Sequence, residues 1–229
     1  MNSSEQKALR AKVHNSLIPF YDSKGFKLNK TNGVFMKNGF EVAWGVKAKY
    51  VDSIYFNPSF RVFNQEIKNV LELIWGPETD EIILSRLAGC TLAQDFGVHD
   101  YDYLGDNEHN IDHGTTYRVD ETTDLSKVVA DHVNYMEKVG LLFFEKVSTL
   151  EGLHDFINGK ILQATDDKFD EIKRVYGKRD VLSGIAASYL LQSPDSEKLI
   201  ENYLRLFEGN TFILDDVQKI KEYFQKNQA

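Results

Sequence analysis

Residues 99 to 114 read HDYDYLGDNEHNIDHG and carry the densest chemistry in the chain. The stretch holds three of the six histidines, His99, His109 and His113. It adds five carboxylates, Asp100, Asp102, Asp106, Glu108 and Asp112, and contains no lysine or arginine. Imidazole nitrogens beside carboxylate oxygens suit zinc, manganese or iron. One reading is therefore a divalent-metal site on the three histidines, in a metal-binding protein or a metal-dependent hydrolase. The spacing fits no established metal frame. DYDYLGDNEHNI begins like a calcium loop, with acids at its first and third places and a glycine at its sixth, but Leu104 stands fifth and Ile111 twelfth, where oxygen ligands belong. His109 and His113 are four apart, as on one helix face, yet the intervening residues and Gly114 do not favour a helix, and no His-Glu-x-x-His is present. A second reading is an acidic docking surface, and a third is a plain solvated loop. Long loops without structure of their own are uncommon in compact domains and often functional, which keeps the docking reading in play.

The rest of the composition narrows the field. The chain has 229 residues, 42% hydrophobic and 27% charged, as a soluble globular protein has. Lysine and arginine total 27 against 35 aspartates and glutamates, a net charge of −8. That balance argues against nucleic acid or an anionic membrane as partner, because both demand a basic footprint. It favours another protein, a basic one in particular. Cys90 is the single cysteine, so no internal disulfide exists, and nothing around it marks an activated thiol. The first residues lack an apolar signal region and no apolar run is long enough to span a bilayer, so a cytoplasmic protein is expected. No Gly-x-Ser-x-Gly, P-loop or Gly-x-Gly-x-x-Gly is present. No catalytic residue and no cofactor is assigned, a divalent metal being the alternative.

The elements that must position the stretch follow from periodicity. A helix opens the chain, capped by Ser3 or Ser4, with Ala8, Leu9, Val13, Leu17 and Phe20 on one face. Pro19 predicts a kink or a fresh turn in it, and Gly25 its end. The period then changes to two. Asn32-Gly33 and Asn38-Gly39 predict type I′ turns, and Phe40, Val42, Trp44, Val46, Ala48 and Tyr50 alternate with Glu41, Lys47 and Lys49. Strands are expected near 26–30, 34–37, 40–50 and 54–63, charged side chains facing out and Pro58 pushing the last toward an edge or bulge. A helix over NQEIKNVLELIW follows, with Ile67, Val70, Leu71 and Ile74 inward. Residues 81–96 are ambiguous and lean to strand; TTYRVDE reads as a last strand. After Thr123 the period is helical. Leu125, Val128, Val129, His132, Val133, Met136, Val139 and Phe143 form one stripe, in which His132 reads as a core or boundary histidine with a satisfied ring nitrogen rather than a ligand or base. Further helices are expected near 149–158, 167–176, 180–192, 195–208 and 215–226. Lys173, Arg174, Lys178 and Arg179 read as a solvated helix end.

Two segments carry a resemblance. YDSKGFKLNKTNGVFMKNG, through Gly25, Phe26, Lys27 and Phe35, and VGLLFFEKVSTLEGLHDFI, through the corner Phe144, Glu145, Lys146 and Val147, resemble a group of uncharacterised bacterial domains. The resemblance runs to about residue 158 and implies a helix–hairpin opening and an immunity- or accessory-like role in toxin systems. It brings no catalytic residue.

Strands first and helices after predict an α+β fold, an antiparallel meander covered by helices with an all-helical C-terminal part. The division expected is a sheet domain over 1–150 and a helical subdomain over 151–229 packed on it. The expected activity is non-enzymatic protein binding through Asp100, Asp102, Asp106, Glu108 and Asp112.

Overall fold

A computed structural model of the chain describes residues 3–49, 53–77, 79, 81–99, 116–165 and 177–227. The described residues form two compact units, residues 1–62 with 85–145, and residues 63–84 with 146–229. The excursion at 63–84 joins the C-terminal helices without any linker composition to announce it.

The first unit is built on an antiparallel sheet. Strands β1 (Lys27–Asn29), β2 (Val34–Lys37), β3 (Phe40–Lys49) and β4 (Ser53–Phe63) run as a meander. Beyond β4 lie β5 (Ile82–Leu87), whose residues from 85 on belong to this unit, and β6 (Tyr117–Asp120), the latter antiparallel to the start of β4 with Ile54 opposite Val119. The expected alternation holds on the covered face, where Val42 and Trp44 stand opposite Phe60 and Pro58 and all are buried. It fails at Glu41. That carboxylate points to the other face, yet is only 5% exposed and pairs with Arg61, the residue directly across the ladder. A cross-strand partner has let a charge sit where alternation alone places it in water.

Pro58 is likewise not at an edge, since β4 is central. Its carbonyl accepts from the Ala88 N–H at 2.9 Å, so its missing N–H falls on the same side, just past the reach of β6 at Phe56. The hairpin turns also differ from expectation. Gly33 and Gly39 have φ of +69° and +77°, but Gln192 is the single non-glycine residue at positive φ among the described residues. Asn32 and Asn38 therefore keep negative φ, and neither turn is type I′.

Helices cover one face of this sheet. Helix α1 (Ser3–Ser23) buries Leu9, Val13, Leu17 and Tyr21 at four-residue spacing, while Ala8 is exposed. It runs through Pro19, which lies on its exposed side, and ends with Gly25 at φ +82°. The Phe26 N–H closes back on the Tyr21 carbonyl at 2.9 Å. Residues 81–96 resolve into β5 and a short helix α3 (Cys90–Asp95), so the strand stops well before the expected limit. Helix α4 (Leu125–Tyr135) is capped by Asp124, whose carboxylate accepts from Ser126 N–H at 3.0 Å. It passes through a π-turn (Met136–Gly140) into α5 (Leu141–Lys146). Phe60 packs against Tyr135, Phe143 and Phe144, and Phe144 also meets Phe26 and Phe40, giving a largely aromatic core.

The second unit is helical. Helix α2 (Gln65–Trp75) is capped by Asn64, which accepts from Ile67 N–H at 3.0 Å, and buries Ile67, Val70 and Leu71; Ile74 is half-buried. With α6 (Leu150–Leu162), α8 (Ser196–Leu206) and α9 (Thr211–Asn227) it surrounds α7 (Lys178–Leu190), whose residues from Asp180 to Tyr189 are all buried. Asn158 fixes the α6–α7 crossing by donating to the Gly184 carbonyl and accepting from the Tyr203 hydroxyl, both at 2.9 Å. Lys178 is no solvated helix end. It pairs with Asp216, which also accepts from Trp75 Nε1 at 2.8 Å and Lys219 Nζ at 3.1 Å. Burial raises the Asp216 pKa, but the three donors outweigh it and hold the carboxyl below its usual range. The expected helix near 167–176, with Lys173 and Arg174, lies outside the described residues.

Candidate functional site

Asp100, Asp102, Asp106, Glu108, Asp112, His109 and His113 lie outside the described residues. His99 is described and is exposed. What the structure adds is how the chain enters and leaves this stretch.

The entry follows α3. Gly97 at φ +74° ends that helix, and the Val98 N–H returns to the Ala93 carbonyl at 3.0 Å. Just before α3, both backbone groups of Gly89 are held by one side chain. The Gly89 N–H donates to the Tyr135 hydroxyl at 3.0 Å, and that hydroxyl donates to the Gly89 carbonyl at 3.1 Å. The exit is Thr116, buried, leading into β6. There the Tyr117 hydroxyl donates to Asp131 at 2.6 Å, and the Tyr117 ring stacks on Trp44 with centroids 5.4 Å apart. Asp131 and Tyr135 sit four apart on α4. One turn of that helix therefore holds Tyr117 on the exit side and Gly89, ahead of α3, on the entry side.

His132 lies within the same turn and is fully buried. Its Nε2 shares a hydrogen bond of 2.6 Å with the Tyr21 hydroxyl, and its ring meets Trp44 edge-on at 4.6 Å. The expectation of a core histidine with a satisfied ring nitrogen holds. Burial lowers its pKa to about 3, so it is neutral at physiological pH, and burial raises the Tyr21 phenol well above its ordinary value. Its Nδ1 meets no partner among the described residues. A neutral imidazole sealed from solvent does no acid–base work on an outside substrate; here it joins α1, β3 and α4. Two further described histidines, His14 and His154, are also buried. Among the described residues no group of three or more histidines, cysteines, aspartates and glutamates could hold a metal ion.

Tyr135, Asp131 and Tyr117 escaped the sequence reading. The available signal was the pair of polar residues, Asp131 and Tyr135, flanking His132 on an otherwise apolar face. No helix of the described residues is long and apolar enough to cross a membrane. The chain matches no protein-family model, no curated protein and no solved structure.

Proposed function

We propose that the chain is a non-enzymatic protein-binding module of the bacterial cytoplasm, immunity- or accessory-like, that presents its acidic stretch to a basic partner protein. The observation that carries this reading is the concentration of charge. Five carboxylates without one lysine or arginine fall in residues 99–114, out of a net charge of −8 for the whole chain. Charge gathered in one place steers a complementary partner and sets the register of the encounter. A shared anchor supports the reading, because the turn of α4 around Asp131 and Tyr135 holds Tyr117 after the stretch and Gly89 ahead of α3. The test is capture of partners from the native host at low and high salt. It uses the wild-type chain beside one with Asp100, Asp102, Asp106 and Asp112 changed to Asn and Glu108 to Gln. A partner held by the wild type at low salt and lost from the neutralised chain is expected. Recovery of none at either salt, or equal recovery by both chains, defeats the reading.

A further inference from the structure

An asparagine followed by glycine is open to spontaneous loss of its side-chain amide, because no Cβ shields the glycine nitrogen that attacks. The chain holds three such pairs, Asn32-Gly33, Asn38-Gly39 and Asn158-Gly159. Cyclisation needs an asparagine side chain free to swing and a following N–H free of other bonds. The structure places the three pairs in different circumstances.

Asn158 is fully buried, and its amide is held at both ends, by the Gly184 carbonyl and the Tyr203 hydroxyl. Gly159 is part of α6. The Asn32-Gly33 turn is pinned from outside. Arg10 donates to the Asn32 carbonyl at 3.0 Å, the Gly33 N–H donates to the Asn29 carbonyl at 2.8 Å, and Gly33 is buried under the His14 ring. Asn38 and Gly39 are both exposed, at the tip where Lys37 stands opposite Phe40. Among the described residues, neither has a hydrogen bond that would have to break first.

We propose that Asn38 is the deamidation site of this protein. The Gly39 nitrogen adds to the Asn38 side-chain carbonyl carbon, and the bond from that carbon to the amide nitrogen breaks. Ammonia leaves with the proton given up by the Gly39 nitrogen. Water then opens the cyclic imide at either carbonyl, giving aspartate or isoaspartate. The net charge moves from −8 to −9. The isoaspartate product adds one carbon to the backbone of a two-residue turn and displaces its closing pair.

The folded chain is incubated in mildly alkaline buffer at physiological temperature, and peptides are mapped by mass spectrometry over time, beside a sample in denaturant. Asn38 converts first in the folded chain, and Asn32 and Asn158 lag by about tenfold or more, the cost of opening their hydrogen bonds. In denaturant the three converge. A Gly39→Ala chain, still folded by circular dichroism, slows at Asn38 alone. Asn38 converting no faster than Asn158 in the folded chain, or Asn32 keeping pace with it, overturns the assignment.

Discussion

Gln192 occupies a place where glycine is the usual residue. Helix α7 ends as α1 does, with the Ser193 N–H returning to the Ser188 carbonyl at 3.0 Å and the Gln192 N–H to Tyr189 at 2.9 Å. Gly25 fills the left-handed position in α1; in α7 it is Gln192, at φ +53°. A side chain there costs on the order of 1 kcal/mol, partly offset by glycine's freedom in the unfolded chain. Gln192→Gly is expected to raise stability by up to about 1 kcal/mol, read as a higher urea midpoint; a lower midpoint would mean the glutamine side chain holds something. Histidine burial gives a second outcome at this scale. Burial lowers His132 to about 3, and burial followed by the charge of Arg10 lowers His14 to about 4, both from 6.5. Below pH 6.5 the unfolded chain takes up protons that the folded chain refuses. The contribution is fully present above that pH and is lost progressively as pH falls toward the folded values. The urea midpoint should drop from neutral pH to about pH 4, and His132→Phe should make the drop shallower. A flat profile would show that neither ring is sequestered.

Helices of the second unit are spaced by single hydrogens. A Cβ at Gly184 would collide with Asn158 Oδ1 and lie 3.1 Å from the Tyr203 hydroxyl oxygen, whereas a Cβ at Gly159 would meet nothing within 4 Å. The same substitution should therefore have opposite signs. Gly184→Ala should cost about 2–3 kcal/mol by forcing α6 and α7 apart, and Gly159→Ala should stabilise α6 by about 0.5–1 kcal/mol. Thermal melts of the pair decide this, and shifts of the same sign would refute the crossing described. The meander was readable because its strands alternate and its turns hold Asn-Gly; the run from α4 to α5 was readable from its apolar stripe, though the π-turn between them was not. Glu41 was not, since its burial rests on Arg61, twenty residues away in sequence. Nor was the end of β5 after Leu87, because a short apolar run has no period of its own. The short helix α3 was hidden for the same reason.

For the molecule as a whole, the proposed reading makes charge the property that selects a partner. Charge acts over about 8–10 Å at physiological salt, so on the proposed reading the five carboxylates bear on arrival more than on residence. Once a partner is in hand, its association rate should fall as ionic strength rises, with the dissociation rate little changed. The chain neutralised at its five carboxylates should show a flat salt profile in stopped-flow or surface-based kinetics. A salt-independent association rate for the wild type would place the contact elsewhere. The stretch was legible as composition from the start, but the contacts of Tyr135 with Gly89 and of Asp131 with Tyr117 were not. They join residues up to 46 positions apart that share no local pattern.

Because Asp131 holds Tyr117 and Tyr135 holds Gly89, one turn of α4 bridges β6 and the start of α3 by contacts outside residues 100 to 115. A protease cut there would leave a nicked molecule that still migrates as one species until denatured. By the same logic, a reporter peptide spliced into the stretch should be carried without unfastening β6 from the sheet.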